Sequence, residues 1–320
     1  MHNRLKIVFM GTPDFAVPCL ETLAKEHDLV GVVTAPDRPA GRGRQARPTA
    51  IKEKAMTLGL NILQPEKLKA PAFINSIQEL QADLFVVVAF RMLPEVVWRM
   101  PPLGCINLHA SLLPDLRGAA PINWALLYGY EKTGVSTFFI EKEIDTGLVI
   151  EQCELDIEAN DSAGTLHDKL MNLGAITLLN TVNKIAEGKI EGIAQSKLAS
   201  GNENPAAKIF KKDGELDWRL PAQELLNKIR GLSPYPAAWT KIRTEEGTRT
   251  IKLFHALVSA EKVLEPGQIL VVGTGKMLIG TGTLPLDILE LQMEGKRRMN
   301  TGQFLMGAKN LGSWNISMDR

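Results

Sequence analysis

At 320 residues the chain is long enough for two domains of roughly 150 residues each, which excludes a peptide hormone or a disulfide-stapled miniprotein. Hydrophobic residues make up 45% and charged residues 23%, the balance of a folded globular protein and not of a low-complexity one. Lys and Arg number 37 against 36 Asp and Glu, a net charge of +1, so a nucleic-acid partner has to be met by a local basic patch.

The amino-terminal run alternates like a strand and has no small-residue cleavage site, and the apolar stretch Leu84–Phe90 is too short to span a bilayer. Cys19, Cys105 and Cys153 are odd in number and far apart, with no CxxC or Cys/His cluster, which argues against a disulfide frame or a zinc site. The expected setting is a soluble, cytoplasmic protein without a metal or a membrane partner.

From Leu5 to about Gly188, Val- and Ile-rich runs alternate with amphipathic segments, the pattern of a mostly parallel α/β sheet. Strands are expected at Leu5–Met10, Leu29–Thr34, Leu60–Leu63, Leu84–Phe90, Cys105–His109 and Val135–Ile140. After the first, Thr12 can cap a helix running to about Lys25, with Pro13 at its first position and Asp14 favouring its dipole. Asp161 or Ser162 opens a second, long helix that ends near Gly188. Residues 189–207 are polar, carry Gly201, Asn202, Asn204 and Pro205, and read as a linker. The remainder, 208–320, has one helix at Pro221–Arg230. Five short strands follow, at Trp239–Arg243, Arg249–Val258, Gln268–Val272, Met277–Gly280 and Leu286–Gln292, which suits a small OB-like barrel.

The richest constellation is Asn107-Leu108-His109-Ala110-Ser111-Leu112-Leu113-Pro114, with Arg117-Gly118 after it and Asp145-Thr146-Gly147 further on. Side chains alternate along a strand, so Asn107 and His109 share one face while Ile106 and Leu108 pack the other. Ligands of open α/β sheets bind at the carboxyl ends of the strands. An amide donor beside an imidazole, with a carboxylate such as Asp145 in reach, can stabilise an oxyanion and move a proton during acyl transfer. A serine hydrolase is disfavoured because no GxSxG elbow accompanies the set.

Arg38, Arg42, Arg44 and Arg47 lie in a loop, Ala35–Pro48, whose only acid is Asp37. Guanidinium groups bind phosphate in bidentate fashion, so the loop reads as a phosphate-seeking arm. Its Gly41-x-Gly43-x-x-Ala46 is a poor dinucleotide fingerprint, since it sits inside a long loop and not at a strand–helix turn. Lys208, Lys211 and Lys212 open the second domain, and Lys296-Arg297-Arg298 lies near its end; a barrel with basic edges can track an RNA backbone.

These motifs, together with Phe9-Met10-Gly11-Thr12-Pro13-Asp14-Phe15-Ala16 and Pro234-Tyr235-Pro236-Ala237-Ala238-Trp239, resemble the 10-formyltetrahydrofolate-dependent formyltransferases over nearly the whole chain. Their closest match is to the members that act on methionyl-tRNA. The resemblance implies a Rossmann-like catalytic domain (1–188) joined to an OB-like tRNA-binding domain (208–320). It implies a catalytic trio of Asn107, His109 and Asp145, and 10-formyltetrahydrofolate as formyl donor held by Ser111, Leu112, Leu113 and Pro114 and by the loop with Ala89, Phe90 and Arg91. The acceptor it implies is initiator methionyl-tRNA, not DNA, held by Arg38, Arg42, Arg44, Arg47, Lys208, Lys211 and Lys212, with Arg42 prominent. The chain departs from the pattern at Phe90-Arg91, where the family more often has an aromatic-Gly pair and one residue more, and at Gln45, a position that is usually basic. Alternative readings are a formyltransferase for an amino-sugar nucleotide, a 10-formyltetrahydrofolate hydrolase, and a non-catalytic RNA-binding protein. The arginine-rich loop opposes the first two and the intact trio the third.

Overall fold

A computed structural model describes residues 4–40, 45–245, 247–273, 275–308 and 314–316. In chain order the elements of its first part are β1 (Lys6–Gly11), α1 (Val17–Glu26), β2 (Asp28–Val33), β3 (Arg38–Ala40), β4 (Gln45–Arg47), α2 (Ala50–Thr57), β5 (Ile62–Leu63) and α3 (Pro71–Glu79). Then come β6 (Leu84–Val88), α4 (Glu95–Trp98), β7 (Cys105–His109), α5 (Pro121–Leu127), β8 (Lys132–Phe139), β9 (Val149–Asp156) and α6 (Ala163–Ala186). The last part holds α7 (Ala222–Leu232), β10 (Ala238–Thr244), β11 (Gly247–Val258), β12 (Ile269–Val272), β13 (Lys276–Ile279), β14 (Leu286–Met293), β15 (Met299–Asn300), α8 (Thr301–Gly307) and β16 (Asn315–Ile316). The chain divides into two compact units: Met1–Gly118, Thr133–Asp156 and His167–Pro205 form one, and Ala119–Lys132, Ile157–Leu166 and Ala206–Arg320 the other.

The first unit is built on a sheet in the order β5-β2-β1-β6-β7-β8-β9. The pairs β2–β5, β1–β2, β1–β6 and β6–β7 are parallel, and β7–β8 is antiparallel. Ile7, Val8, Phe9 and Met10 are all fully buried, because helices cover both faces of a parallel sheet and neither parity can be polar. Val8, Met10, Phe85 and Val87 pack with Phe73 and Ile77 of α3 on one face. On β7, Leu108 meets Gly174 of α6 so closely that a Cβ there would lie 2.8 Å from Leu108 Cδ2. That packing leaves Asn107 and His109 on the opposite face.

All six strands expected in this part are present, within a few residues at their ends. Two features differ. Thr12 does not cap α1: a short turn of 3-10 helix, Asp14–Ala16, comes first, and Ala16 precedes α1 with no side-chain cap. The arginine-rich segment is also more ordered than a loop, since β3 and β4 pair antiparallel with Arg38 opposite Arg47.

The second unit has an antiparallel sheet in the order β12-β13-β14-β11-β10-β16, with β15 on β14. Ile316 of β16 donates its N–H to Gly267, just ahead of β12, so the two ends of the sheet nearly close into a barrel. Its core gathers Trp218, Ile251, Leu253, Ile288 and Leu291 against Leu225, Ile229 and Leu232 of α7. Each such side chain contributes about 1.5–3 kcal/mol of apolar burial. All five expected strands of this part are present. Trp218 is core, while Trp239 is half-buried with its indole N–H on the Lys211 carbonyl.

Candidate active site

The carboxyl ends of β6 and β7 lie side by side at one patch of the first unit, next to the amino-terminal half of the antiparallel β8. Three non-glycine residues there, Ala89, Leu116 and Asp145, adopt left-handed backbone (φ +47, +56 and +55). Such conformations cost on the order of 1 kcal/mol each and persist where the surroundings over-determine them. Leu116 is held by burial, by its N–H on the Asn204 carbonyl (2.9 Å), and by Asp115 Oδ1, which accepts from the N–H groups of both Leu116 (3.0 Å) and Asn204 (2.8 Å).

The purpose of that twist is visible at His109. The Leu116 carbonyl lies 2.9 Å from His109 Nε2, and a carbonyl only accepts, so Nε2 carries a proton and Nδ1 is the variable nitrogen. Nδ1 stands 3.9 Å from Asp145 Oδ2, outside hydrogen-bond distance but within ion-pair distance. The imidazole is therefore oriented by the Leu116 carbonyl, not by Asp145. Asp145 in turn is fixed by the Gly118 N–H, which donates to Oδ2 at 3.1 Å. Both side chains are nearly enclosed, at 7% and 14% exposure, where charge interactions are screened less than at the surface. Asn107, on the same strand face as His109, is half-buried, and none of the described residues hydrogen-bonds its amide. The structure thus brings the three expected catalytic side chains to one place.

Sequence reasoning missed Gln195. Its side chain, 4% exposed, donates to the carbonyls of Asp145 and Gly147 at 2.9 Å each. Its Oε1 accepts from Arg117 Nε (2.9 Å) and Nη2 (2.5 Å). One amide therefore ties the Asp145 turn to the segment after His109. Gly147 has to be glycine, because a Cβ there would run into the Phe139 carbonyl.

The expected donor-binding residues separate into two kinds. Ser111 and Leu113 are buried and already committed: Ser111 Oγ donates to the Asp115 carbonyl (2.6 Å), and Ser136 Oγ donates to the Ser111 carbonyl (2.6 Å) while accepting from Leu113 N (2.9 Å). Gln152 Nε2 closes this knot on Ser136 Oγ and the Leu113 carbonyl, both at 2.9 Å. Leu112 and Pro114 remain half-exposed. Phe90, Arg91 and Met92 lie outside helix and strand, with Met92 72% exposed, so their backbone polar groups belong to no ladder.

Arg91 behaves differently from its neighbours. Its guanidinium donates to the carbonyls of Pro65 and of Glu66 (2.8 Å), and burial, then the nearby Arg38, hold its pKa below the usual arginine range. It lines a cleft of about 680 Å³ together with Thr12 beyond β1, Pro36 beyond β2, and Arg38 and Arg47 of the hairpin. Arg42 and Arg44 lie outside the described residues. The root of the hairpin is anchored by Asp37, which accepts from Lys52 Nζ (2.6 Å) and Gln64 Nε2 (2.7 Å); these contacts hold its carboxyl below the usual range. In the second unit Lys208, Lys211 and Lys212 are exposed, and Lys208 sits over the Phe210 ring. Arg298 is engaged with Glu290 in a bidentate pair.

Among the described residues no group of three or more His, Cys, Asp or Glu is placed to hold a metal ion, and no helix is long and apolar enough to cross a membrane. Comparison with known proteins gives a consistent picture. The profile of the family "Formyl transferase" matches residues 5–182, and that of "Formyl transferase, C-terminal domain" matches residues 208–309. A methionyl-tRNA formyltransferase of Bacteroides fragilis is 47% identical over 307 residues, covering 95% of each chain. One from Parabacteroides distasonis is 46% identical over 318 residues, covering 98% of each. Among solved structures, HypX from Aquifex aeolicus in complex with tetrahydrofolic acid superposes with a TM-score of 0.65 at 16% identity, over 95% of this chain and 47% of that one. This chain thus spans about half of HypX. WlaRD, a sugar 3N-formyl transferase crystallised in the presence of dTDP and 5-N-formyl-THF, gives 0.66 at 16% identity over 92% of this chain and 100% of that one. Those two likenesses describe the fold.

Proposed function

The chain belongs to the formyl transferase family, and from that premise we propose that it moves a formyl group from 10-formyltetrahydrofolate to the α-amine of methionyl initiator tRNA. The acceptor follows from relatives of that name that match this chain at 45–47% identity from end to end. The observation that carries the chemistry is the unpartnered Asn107 amide beside a His109 ring whose Nε2 is pinned and whose Nδ1 faces Asp145.

An α-amine titrates near 8, so at neutral pH a base has to take its proton before it can attack. Asp145 and His109 Nδ1 together supply that base. As the new N–C bond forms, the Asn107 amide donates to the formyl oxygen, which gains negative charge, and protonated His109 adds a second donor. After attack the nitrogen of the new N–C bond gives up a second proton. As the C–N bond to the folate breaks, one of the two protons passes from His109 to the departing nitrogen and the other leaves to solvent, so the ammonium becomes a neutral formamide with release of one H+. The folate supplies only the activated formyl carbon. The Phe90–Met92 backbone, outside helix and strand, and the apolar Leu112 and Pro114 suit a flat heteroaromatic ring with a hydrogen-bonding edge. The arginines of the 38–47 segment and Lys208, Lys211 and Lys212 hold the RNA backbone.

The test is formyl incorporation into charged initiator tRNA with 10-formyltetrahydrofolate, run beside an amino-sugar nucleotide acceptor. Transfer to methionyl-tRNA alone is expected. Transfer to the sugar nucleotide, or hydrolysis of the donor without transfer, would overturn the reading.

A further inference from the structure

The cleft lined by Arg38, Arg47 and Arg91 gathers three guanidinium groups, and among the described residues no carboxylate lines it. The nearby acid, Asp37, is already occupied by Lys52 and Gln64. Arg38 and Arg47 stand directly opposite one another in the hairpin, a cross-strand pairing of like charges that is unfavourable on its own. Arg91 lies close enough to Arg38 for the repulsion to lower its pKa. Its Nε is buried without a hydrogen-bond partner, a leftover donor of the kind that native structures seldom leave. An anion in the cleft would offset both repulsions at once.

We infer that this cleft binds a phosphate group of the acceptor strand's terminal nucleotides, and that Arg91 serves the RNA and not the folate. The inference rests on the tRNA reading above. The floor of the cleft comes from the ends of β1, β2 and β6, and β7 with Asn107 and His109 lies one strand beyond β6. At ~4.8 Å per strand, β1 stands about 10 Å from β7, within the span of a nucleotide whose aminoacyl end reaches His109. A carboxylate on the folate's tail would meet the same guanidiniums. The phosphate is favoured because two of the three arginines belong to an exposed hairpin whose sequence continues with Arg42 and Arg44, which suits a polyanion running on past the cleft. Arginine's planar fork also matches phosphate oxygens in bidentate fashion.

Titration calorimetry of the full chain with adenosine 5′-monophosphate, adenosine and 5-formyltetrahydrofolate tests the assignment. The monophosphate should bind at least tenfold more tightly than adenosine. Arg47→Gln and Arg91→Gln should each weaken the monophosphate about tenfold or more, as loss of a charge-assisted pair does, while leaving the folate within about twofold. Arg91 also braces Pro65 and Glu66, so if Arg91→Gln fails to fold, Arg47→Gln and Arg38→Gln carry the test. Equal affinity for adenosine and its monophosphate, or variants that lose the folate and keep the monophosphate, would overturn the inference. The two levels fail separately: a parental chain that does not formylate methionyl-tRNA refutes the function, whereas loss of phosphate discrimination refutes the cleft.

Discussion

Gln195 offers the sharpest perturbation, because one buried side chain donates two hydrogen bonds to the turn that carries Asp145 and accepts two from Arg117. Gln195→Met keeps the length and removes every bond. The Asp145 and Gly147 carbonyls then lose their donor, at about 1–3 kcal/mol for each group left unsatisfied in the interior. Arg117 is half-buried and regains water, so its share is small. The stability loss comes to about 2–6 kcal/mol, measured as a shift of the urea midpoint at constant slope. The catalytic effect follows from geometry. Asp145 keeps its bond from the Gly118 N–H but loses the constraint on its own backbone, and a displacement of about 1 Å at the reacting groups can cost on the order of a hundredfold. The expectation is a kcat lowered about 10- to 100-fold with little change in KM for the folate, and a displaced acidic limb of the pH–rate profile. A merely structural residue would lower the amount of active enzyme and leave that profile alone. Gln195→Glu keeps the Arg117 contact but sets a carboxylate against two carbonyls, so its kcat should fall at least as far. A folded Gln195→Met enzyme with kcat within twofold of the parent and an unmoved pH profile would refute the positioning role.

Asn107→Ala should lower single-turnover formyl transfer about a hundredfold, the usual loss for one oxyanion donor, and His109→Gln by at least as much; parental rates in either folded variant would remove that residue from the chemistry. His27 governs an acid limit on stability. It is 1% exposed, Leu5 donates to its Nδ1 (3.4 Å) and its Nε2 faces Asn183 Oδ1 (3.1 Å), so the neutral ring is satisfied on both sides and burial lowers its pKa from 6.5. The unfolded chain then takes up the proton first, so stability is full above about pH 6.5 and falls as pH drops below it, by up to about 1.4 kcal/mol per pH unit. Urea unfolding at pH 7.5 and 5.5 should show that difference shrinking in His27→Gln, and an unchanged difference would refute it.

How much of this site could be read in advance depended on where each residue's partners lie along the chain. Asn107 and His109 were legible because both sit on one five-residue strand, where period-2 alternation alone puts them on a shared face. The strand β9 was not, because its charged Glu151, Glu154 and Asp156 break an apolar run that would otherwise stand out. The β3–β4 hairpin hides behind Pro39 and glycines, which are turn residues in any statistical reading. The orientation of His109 depends on a backbone carbonyl at Leu116, and a carbonyl has no letter in the sequence. Gln195 lies 50 residues from Asp145, in a polar stretch with the composition of a linker, and a lone glutamine there matches no motif. Arg91 shows the opposite effect. Its place beside Ala89 and Phe90 assigned it to the folate with the rest of its loop, yet its guanidinium turns toward Pro65 and Glu66 and shares a cleft with arginines more than forty positions earlier. Neighbours in sequence share a backbone, but a side chain as long as arginine's can serve a different ligand from the residue beside it. Under the proposed phosphate site, charge, which acts through space, places Arg91 with the RNA, whereas its position in the chain places it with the folate.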